Sequence, residues 1–175
     1  MDESTLVKAC IEGDPKAQKT FFDLFAPKMM TVCLRYMKST EAAEDVLQDA
    51  FLKVFTYLPK YKFEGVLIGW VRRIVVNSCL DQLRKDAKLQ LNQNLDGIEY
   101  RVGESEDILS SLQAQELLNL IQGMPNGYRV VFNLFAIEGY SHQEIANTLG
   151  ISESTSKSQY LRARAYLRDR IGNKR

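Results

Sequence analysis

The chain has 175 residues, of which 45% are hydrophobic, and this is enough for one large or two small buried cores. Its formal net charge is only +1, so any nucleic-acid surface must come from a local concentration of positive charge. The N-terminus lacks the pattern of a signal peptide and no segment is apolar for long enough to span a bilayer, so we expect a cytoplasmic protein without membrane insertion.

Helical spacing of apolar residues runs through most of the chain, and no pair of alternating segments is joined by a tight Asn-Gly or Asp-Gly turn. This pattern predicts an all-α fold. Near the N-terminus, apolar residues recur at helical steps on both sides of Asp14-Pro15, which predicts two short helices, with Leu24 on the apolar side of the second. A longer helix is predicted from Thr40, a candidate N-cap, to Pro59.

The next helix is predicted from about Val66 to Lys85. The stretch that follows is rich in Asn, Gln and Gly, ends in a run of acidic residues and lacks sustained periodicity, which is typical of a flexible linker. We therefore expect two small helical domains, at residues 1–88 and 108–175, joined by a linker at residues 89–107.

The segment GYSHQEIANTLGISESTSKSQYLRAR, residues 139–164, has the pattern of a helix-turn-helix. Ser141 and Glu144 have the spacing of a capping box, so a helix should begin at His142. Gly150 can adopt the left-handed conformation that ends this helix. The C-terminal domain is thus predicted to be a helix-turn-helix domain.

The second helix of this motif, capped by Ser152 or Ser154, is predicted to be basic on its outward side. From Glu153 to Arg175 there are seven basic residues and two acidic ones. The buried stripe is expected to contain Tyr160, Ala163, Leu167 and Ile171. The outward side carries cations and hydroxyls of the kind that contact phosphates and base edges in a major groove: Ser154, Lys157, Ser158, Leu161, Arg162 and Ala165. The alternative is a merely solvated face, but the capping box and the short turn favour DNA contact.

Three stretches of the chain resemble the extracytoplasmic-function sigma factors, the two-domain members of the bacterial sigma-70 family. The stretch PNGYRVVFNLFAIEGYSHQEIANTLGISESTSKSQYLRAR resembles the family's region 4, which reads the −35 promoter element. AEDVLQDAFLKVF resembles the helix that docks on the polymerase clamp, and GWVRRIVVNSCLDQLRK resembles the helix that handles the −10 element. The resemblance covers almost the whole chain.

Carried over position by position, the resemblance implies three sets of site residues. The −35 set is His142, Gln143, Ser154, Lys157, Ser158, Leu161 and Arg162, with His142 and Gln143 near the phosphates. The −10 set is Tyr61, Lys62, Phe63, Arg73 and Asn77, in which Asn77 matches the asparagine associated with a flipped base. The set that binds core polymerase is Asp45, Gln48, Asp49 and Leu52.

Structural explanations compete with these roles. Tyr61 and Phe63 flank a cation, as expected of a platform for unstacked bases, but they could also be core aromatics. Trp70, on an apolar helical face, fits the core better than a base contact, and the polar residues of the docking set also fit a solvated helix start. One departure concerns the −10 loop: the family often has a small polar residue and then an aromatic residue before the tryptophan, whereas here Gly65 is followed by Val66 and Leu67.

The resemblance implies a transcription initiation factor that binds core RNA polymerase at its clamp and flap regions and directs it to promoters by recognising the −35 and −10 elements. It also implies a part in promoter melting, with promoter DNA and an anti-sigma factor as further partners. The chain has no metal-binding carboxylate cluster, phosphate-cradling glycine loop or nucleophile-base pair, so we expect no cofactor, no metal and no enzymatic activity. Its cysteines stand far apart in sequence, so we expect reduced, mostly buried thiols.

Other functions fit only part of the sequence. An ordinary DNA-binding regulator would explain the second domain but would leave the first without a role. A sigma-like decoy that sequesters an anti-sigma protein would be expected to carry a fused regulatory domain. An enzyme, such as a helical hydrolase, has no candidate residues.

Overall fold

The structure, a computed structural model, describes residues 1–86 and 113–172. Its contacts divide the chain into two compact units, Met1–Lys85 and Asp86–Arg175. Both units are built from helices and the described ranges contain no β-strand, so the predicted all-α fold with two helical domains is confirmed. The predicted linker, residues 89–107, lies outside the described residues, as does the predicted start of the second domain at residue 108.

The first unit opens with α1 (Glu3–Ile11) and α2 (Pro15–Tyr36). The Asp14 side chain caps α2 by accepting a hydrogen bond from the Lys16 backbone N–H at 3.0 Å. Pro15 occupies the first helical position, where a backbone N–H would have no partner within the helix. The predicted helix restart at Asp14-Pro15 is therefore confirmed.

The prediction that the second helix is short is wrong, because α2 spans 22 residues and continues through Pro27. A proline inside a helix removes one backbone hydrogen bond. Buried residues on both sides of it, such as Phe21 and Met29, nevertheless keep the whole helix packed against the core. Leu24, expected on the apolar side, is 53% exposed instead.

Two more helices complete the first unit: α3 (Thr40–Tyr57), which a short 3₁₀ turn follows at Leu58–Lys60, and α4 (Leu67–Lys85). The cap of α3 is Ser39, whose Oγ accepts a hydrogen bond from the Ala42 N–H at 3.1 Å. Thr40, the expected cap, is already the first helical residue.

Helices α2, α3 and α4 pack against one another around one apolar core. The ring centroid of Phe21 in α2 lies 6.5 Å from that of Phe51 and 5.6 Å from that of Phe55, both in α3. Cys33 in α2 and Cys79 in α4 are buried and are not joined by a disulfide, and their sulfur atoms lie 3.9 Å apart. The fold thus brings together two cysteines that the sequence separates by 46 positions.

The second unit comprises α5 (Ala114–Gly123), α6 (Asn126–Phe132), a π-helical turn (Asn133–Ile137), α7 (His142–Leu149) and α8 (Glu153–Gly172). A core cluster joins α5, α6 and α8 through buried apolar side chains: Leu120, Ile121, Met124, Phe132, Ala163, Leu167 and Ile171. Since α8 contacts α5, α6 and α7, the placement of each of these helices depends on α8.

Arg129 in α6 is a fully buried cation of this unit. Its Nη1 donates to the backbone carbonyls of Gln122 and Met124 at 3.3 and 3.1 Å, and its Nη2 donates to Asn126 Oδ1 at 2.5 Å. Burial lowers the pKa of this guanidinium to about 10, so the group stays charged at neutral pH. Arg129 therefore ties the end of α5 and the turn after it to α6.

Arg129→Ala is expected to destabilise the second unit by about 2 kcal/mol, because two carbonyl oxygens lose their donor and a cavity remains. Urea unfolding with two probes measures this effect. Trp70, the only tryptophan of the chain, reports on the first unit by fluorescence, whereas circular dichroism reports on both units. The variant should unfold at lower urea by circular dichroism and keep the wild-type fluorescence midpoint.

The matched control is Arg170→Ala, which removes an exposed arginine that lies over the Tyr166 ring of the same unit. Its effect should stay below about 1 kcal/mol. An Arg129→Ala profile equal to that of the control would contradict the bridging role of Arg129.

Candidate nucleic-acid interface

The predicted helix-turn-helix is formed by α7 and α8. Ser141 Oγ accepts a hydrogen bond from the Glu144 backbone N–H at 3.1 Å, so α7 begins at His142 as predicted. Ile145 from α7 is fully buried, which fixes this helix against the rest of the unit. The position of α7 is thus set by the Ser141 cap at its start and by the buried Ile145 side chain.

The turn between the two helices is set by Gly150, which adopts φ 68° and ψ 35°, the left-handed conformation predicted for it. The Ile151 N–H then donates to the Ala146 carbonyl at 3.1 Å. Ser152, one of the two expected caps, accepts from the Thr155 N–H at 3.0 Å and starts α8.

Helix α8 buries one stripe and leaves the proposed reading side accessible. Ala163, Leu167 and Ile171 are buried as predicted, while Tyr160, predicted with them, is half-buried. The helical members of the −35 set are all at least partly accessible: Ser154 and Lys157 are exposed, and Ser158, Leu161 and Arg162 are half-buried. Lys157 Nζ lies 3.4 Å from Glu153 Oε1, an exposed ion pair that is weak enough for a phosphate to replace.

The two members of the −35 set at the start of α7 differ in environment. Gln143 is exposed, whereas His142 is half-buried. The Nδ1 atom of His142 lies 2.8 Å from Oγ of Ser156 in α8, and its ring stacks on Phe135 of the π-helical turn, with ring centroids 4.2 Å apart and planes 11° apart. Neither contact was predicted, because Ser156 and Phe135 carry no sequence signal that points to this histidine.

The charge state of His142 follows from its surroundings. Burial lowers the pKa of its imidazole, and the positive charge of Lys157 lowers it further, while the Glu153 carboxylate acts in the opposite direction. With a pKa below the ordinary value of 6.5, the ring is neutral at neutral pH.

A second candidate surface lies in the first unit, between the 3₁₀ turn and α4. Tyr61 is buried, its hydroxyl donates to the Gly65 carbonyl at 3.4 Å, and its ring lies 5.1 Å from Phe63 and 5.2 Å from Trp70. Phe63 is 48% exposed and has φ 57°, a left-handed conformation that costs a non-glycine residue about 1–2 kcal/mol. The loop therefore exposes the Phe63 ring beside the packed rings of Tyr61 and Trp70. The strained backbone at Phe63 is of a kind that clusters at functional sites.

Polar residues extend this surface along α4. Arg73 and Asn77 are exposed and lie three and seven positions after the half-buried Trp70, so the three residues share one side of the helix. Lys62 is exposed in the loop. Val66, where the sequence departs from the family pattern, is 70% exposed and adds an apolar side chain to the same region of the chain.

The residues expected to contact core polymerase are all exposed on α3: Asp45, Gln48, Asp49 and Leu52. Leu52 is 68% exposed although it is a large apolar side chain. A protein-binding surface commonly contains such a residue among polar neighbours.

Among the described residues, no group of three or more His, Cys, Asp or Glu side chains could hold a metal ion. Within residues 1–86 and 113–172, no helix is both long and apolar enough to cross a membrane.

Two family models match the chain. The model described as Sigma-70 region 2 matches residues 21–89, and the model described as Sigma-70, region 4 matches residues 114–167. Together they cover more than half of the chain and follow each other in order. The first range includes the docking and −10 sets, and the second includes the −35 set.

Relatives match over nearly the full length. The ECF RNA polymerase sigma factor SigM of Mycobacterium tuberculosis is 28% identical over 170 residues, which are 97% of this chain and 85% of the relative. The ECF RNA polymerase sigma-E factor of Escherichia coli is 25% identical over 182 residues, covering 98% of this chain and 95% of the relative.

Two solved structures share the fold. The structure of CnrH in complex with the cytosolic domain of CnrY matches with a TM-score of 0.52 and 20% identity, over 97% of this chain and 96% of that chain. The sigma factor RpoE from Bartonella quintana, crystallised with the anti-sigma factor NepR, matches with a TM-score of 0.55 and 22% identity, over 90% and 98%. These likenesses establish the architecture.

The same substitution, glycine to alanine, is expected to have opposite effects at two positions. Gly150→Ala should destabilise the second unit by about 1 kcal/mol, because alanine disfavours φ 68°. Gly69→Ala should stabilise the first unit by about 0.5 kcal/mol, because Gly69 is helical and none of the described neighbours lies within 4 Å of the added methyl group. Circular dichroism measures the first change and Trp70 fluorescence the second. Shifts of the same sign would contradict the backbone assignment at the turn.

Proposed function

Because the chain belongs to the sigma-70 family of RNA polymerase sigma factors, we propose that it is a dissociable specificity subunit of bacterial RNA polymerase. It binds core polymerase, directs the enzyme to specific promoters through the −35 and −10 elements, and aids promoter melting. The observation that carries the proposal is the presence of region 2 and region 4 in order on one chain, each with an accessible surface suited to its task.

The −35 element is read by the accessible side of α8. The guanidinium of Arg162 suits a guanine edge, the apolar Leu161 suits a thymine methyl group, and Lys157 suits phosphate or a base edge. The hydroxyls of Ser154 and Ser158 complete this face. The exposed Gln143 contacts a phosphate from the first turn of α7, and this pair of helices has the docking geometry of a helix-turn-helix in a major groove.

The −10 element is held by the loop and helix of the first unit. The exposed ring of Phe63 stacks on an unpaired base, and Tyr61, which packs between Phe63 and Trp70, supports that ring. Asn77 hydrogen-bonds the flipped base, and Lys62 and Arg73 supply positive charge for the backbone of the single strand. The exposed Val66 replaces an aromatic contact that the family often makes, so we expect a different base preference at this point.

Core polymerase binds the α3 face of Asp45, Gln48, Asp49 and Leu52 at its clamp, and the second unit contacts the flap. Leu52 supplies apolar contact area and the two carboxylates supply charge complementarity, a combination that gives both affinity and orientation. The proposed domains are residues 1–88 and 108–175 with a linker at residues 89–107.

An anti-sigma factor is proposed as a further partner, since both structural neighbours were solved as complexes, RpoE with the anti-sigma factor NepR and CnrH with the cytosolic domain of CnrY. The chain works in the cytoplasm, where promoter DNA and polymerase are found. It performs no catalytic step of its own, because nucleotidyl transfer belongs to the polymerase.

Run-off transcription tests this function. Purified core polymerase is incubated with a library of promoter fragments, with and without the chain, and start sites are mapped. Start sites that depend on the chain are expected. If none appears while the chain still binds DNA, an ordinary DNA-binding regulator explains the protein better than a sigma factor.

Arg162→Ala is expected to weaken binding of the −35 element by about 1–3 kcal/mol, because one bidentate base contact is lost. Core association should not change, since Arg162 lies outside the α3 face. Electrophoretic mobility of the holoenzyme on promoter DNA measures the first property, and competition for core polymerase measures the second.

Arg170→Ala is the matched control, because it removes the same charge from the exposed end of the same helix. An equal loss of DNA binding in both variants would mean that α8 contributes only net charge. Loss of core binding in Arg162→Ala would contradict the assignment of Arg162 to DNA contact.

Asp49→Ala is expected to reduce affinity for core polymerase by about 1 kcal/mol or more, roughly fivefold, because a charged contact on α3 disappears. Promoter choice of the remaining holoenzyme should stay the same. Competition against the wild-type chain for limiting core polymerase measures the affinity. Asp23→Ala on α2, which removes another exposed carboxylate, one paired with Lys19, should have little effect; similar losses in both variants would remove α3 from the docking surface.

A further inference from the structure

His142 and Ser156 form a contact between the two helices of the helix-turn-helix. His142 is the first residue of α7, and Ser156 lies in the first turns of α8, next to Lys157. Ser156 is 0% exposed, so its hydroxyl cannot reach water and depends on a protein partner. The His142 Nδ1 atom, 2.8 Å from Oγ, is such a partner. The contact therefore links the start of α7 directly to the segment of α8 that is proposed to read DNA.

The direction of this hydrogen bond depends on the protonation state of the histidine. A neutral imidazole has one bare nitrogen, so Nδ1 can accept the hydroxyl proton of Ser156. A protonated imidazole donates from both nitrogens, so Nδ1 can then only donate to Oγ, and the Ser156 hydroxyl proton must turn to another acceptor. The Ser152 carbonyl accepts from the Ser156 N–H at 3.1 Å and keeps a second lone pair for this proton. Protonation therefore reverses the hydrogen bond between His142 and Ser156 and turns the Ser156 hydroxyl towards its own helix, and the new charge is disfavoured by burial and by Lys157.

The groups that face His142 come from three elements. From α8 come Lys157 and Glu153, which act on its charge in opposite directions, and the Tyr160 ring with its centroid 6.0 Å away. The π-helical turn contributes the uncharged ring of Phe135. Helix α7 itself contributes Glu144 two positions on and the positive end of the helix dipole. Burial is the largest influence and disfavours the charged ring.

We propose that His142 is a positioning residue: its neutral imidazole holds Ser156, and through it the Lys157 side of α8, in the orientation that reads the −35 element, and protonation reverses this contact and weakens DNA binding. The inference rests on the proposed function, since it concerns the same reading face. It also departs from the expectation that His142 contacts a phosphate.

The two roles of His142 predict pH effects of opposite sign. A histidine that contacts a phosphate binds DNA more tightly when protonated, because the added charge attracts the backbone. A histidine that positions Ser156 supports weaker binding when protonated. Protonation should also lower the stability of the second unit. The pKa of His142 in the folded chain lies below the ordinary 6.5, so the second unit loses stability as the pH falls from 6.5 through the folded pKa.

The experiment uses the full chain, in which His142 is the only histidine, so every histidine signal belongs to this residue. Nuclear magnetic resonance of the histidine-labelled chain gives its pKa. The affinity of the holoenzyme is then measured above and below that pKa. The probe is a duplex selected from a random pool by the wild-type holoenzyme at neutral pH. Circular dichroism at each pH restricts the comparison to conditions in which both units are folded.

The dissociation constant of the wild-type holoenzyme for this duplex is expected to rise on protonation of His142 at least about fivefold more than it does in the variants over the same pH change. This additional rise is the excess to be compared. In His142→Gln, whose side chain does not titrate, this excess should disappear. In Ser156→Ala, which has no hydroxyl proton to satisfy, it should disappear while the histidine still titrates. Ser156→Ala thus separates the positioning role from a direct charge effect.

Tighter wild-type binding on protonation, or an excess that persists in Ser156→Ala, would overturn the positioning role and leave the proposed function intact. If the wild-type holoenzyme selects no duplex at neutral pH, the proposed function itself fails.

Discussion

Helix α8 has to serve two surfaces at once. Its C-terminal half supplies Ala163, Leu167 and Ile171 to the core cluster with α5 and α6, whereas its first turns carry the accessible Ser154 and Lys157. A rigid helix of 20 residues transmits position from one half to the other. The orientation of the reading face is therefore set by apolar packing at the other end of the helix, together with polar contacts near Ser156. Arg129, which is not among the proposed DNA contacts, matters for the same reason: it ties α5 to α6, and both helices contact α8.

The first unit follows the same division between a packed side and an accessible side. Helices α2, α3 and α4 bury their apolar residues against one another, and the proposed partner surfaces occupy what remains of α3, α4 and the loop before α4. These surfaces include three exposed large apolar side chains, Leu52, Phe63 and Val66. Removing apolar area from water is favourable, so a partner that covers these side chains gains affinity from them. For a member of the sigma-70 family, these partners are core polymerase and melted DNA.

Local rules predicted the start and the end of α7. The cap at Ser141 and the left-handed Gly150 are determined by neighbouring residues, so the sequence is sufficient to place them. The same rules failed for α2, which was expected to be short but continues through Pro27 with core contacts on both sides of the proline. They also failed at Thr40, where the adjacent Ser39 supplies the cap.

Contacts between distant residues were not predictable in this way. The pairing of His142 with Ser156, the approach of Cys33 to Cys79 and the complete burial of Arg129 depend on how helices pack, and no spacing rule encodes them. The site residues were found through the family pattern, and their accessibility on α3, α4 and α8 is consistent with it. The exposed, strained backbone of Phe63 had no sequence signal, because a positive φ at a phenylalanine follows from the loop's packing and not from its residue type.

Site-specific photocrosslinking in one transcription complex tests the central claim most directly. A photoreactive residue is placed at Ser158 in one sample and at Phe63 in another, and the holoenzyme is bound to the same promoter. If each unit reads one element, position 158 should crosslink to duplex DNA at the −35 element, and position 63 should crosslink to the melted strand at the −10 element. Crosslinks from both positions to the same element would contradict this assignment. So would DNA crosslinks from position 63 that form without core polymerase.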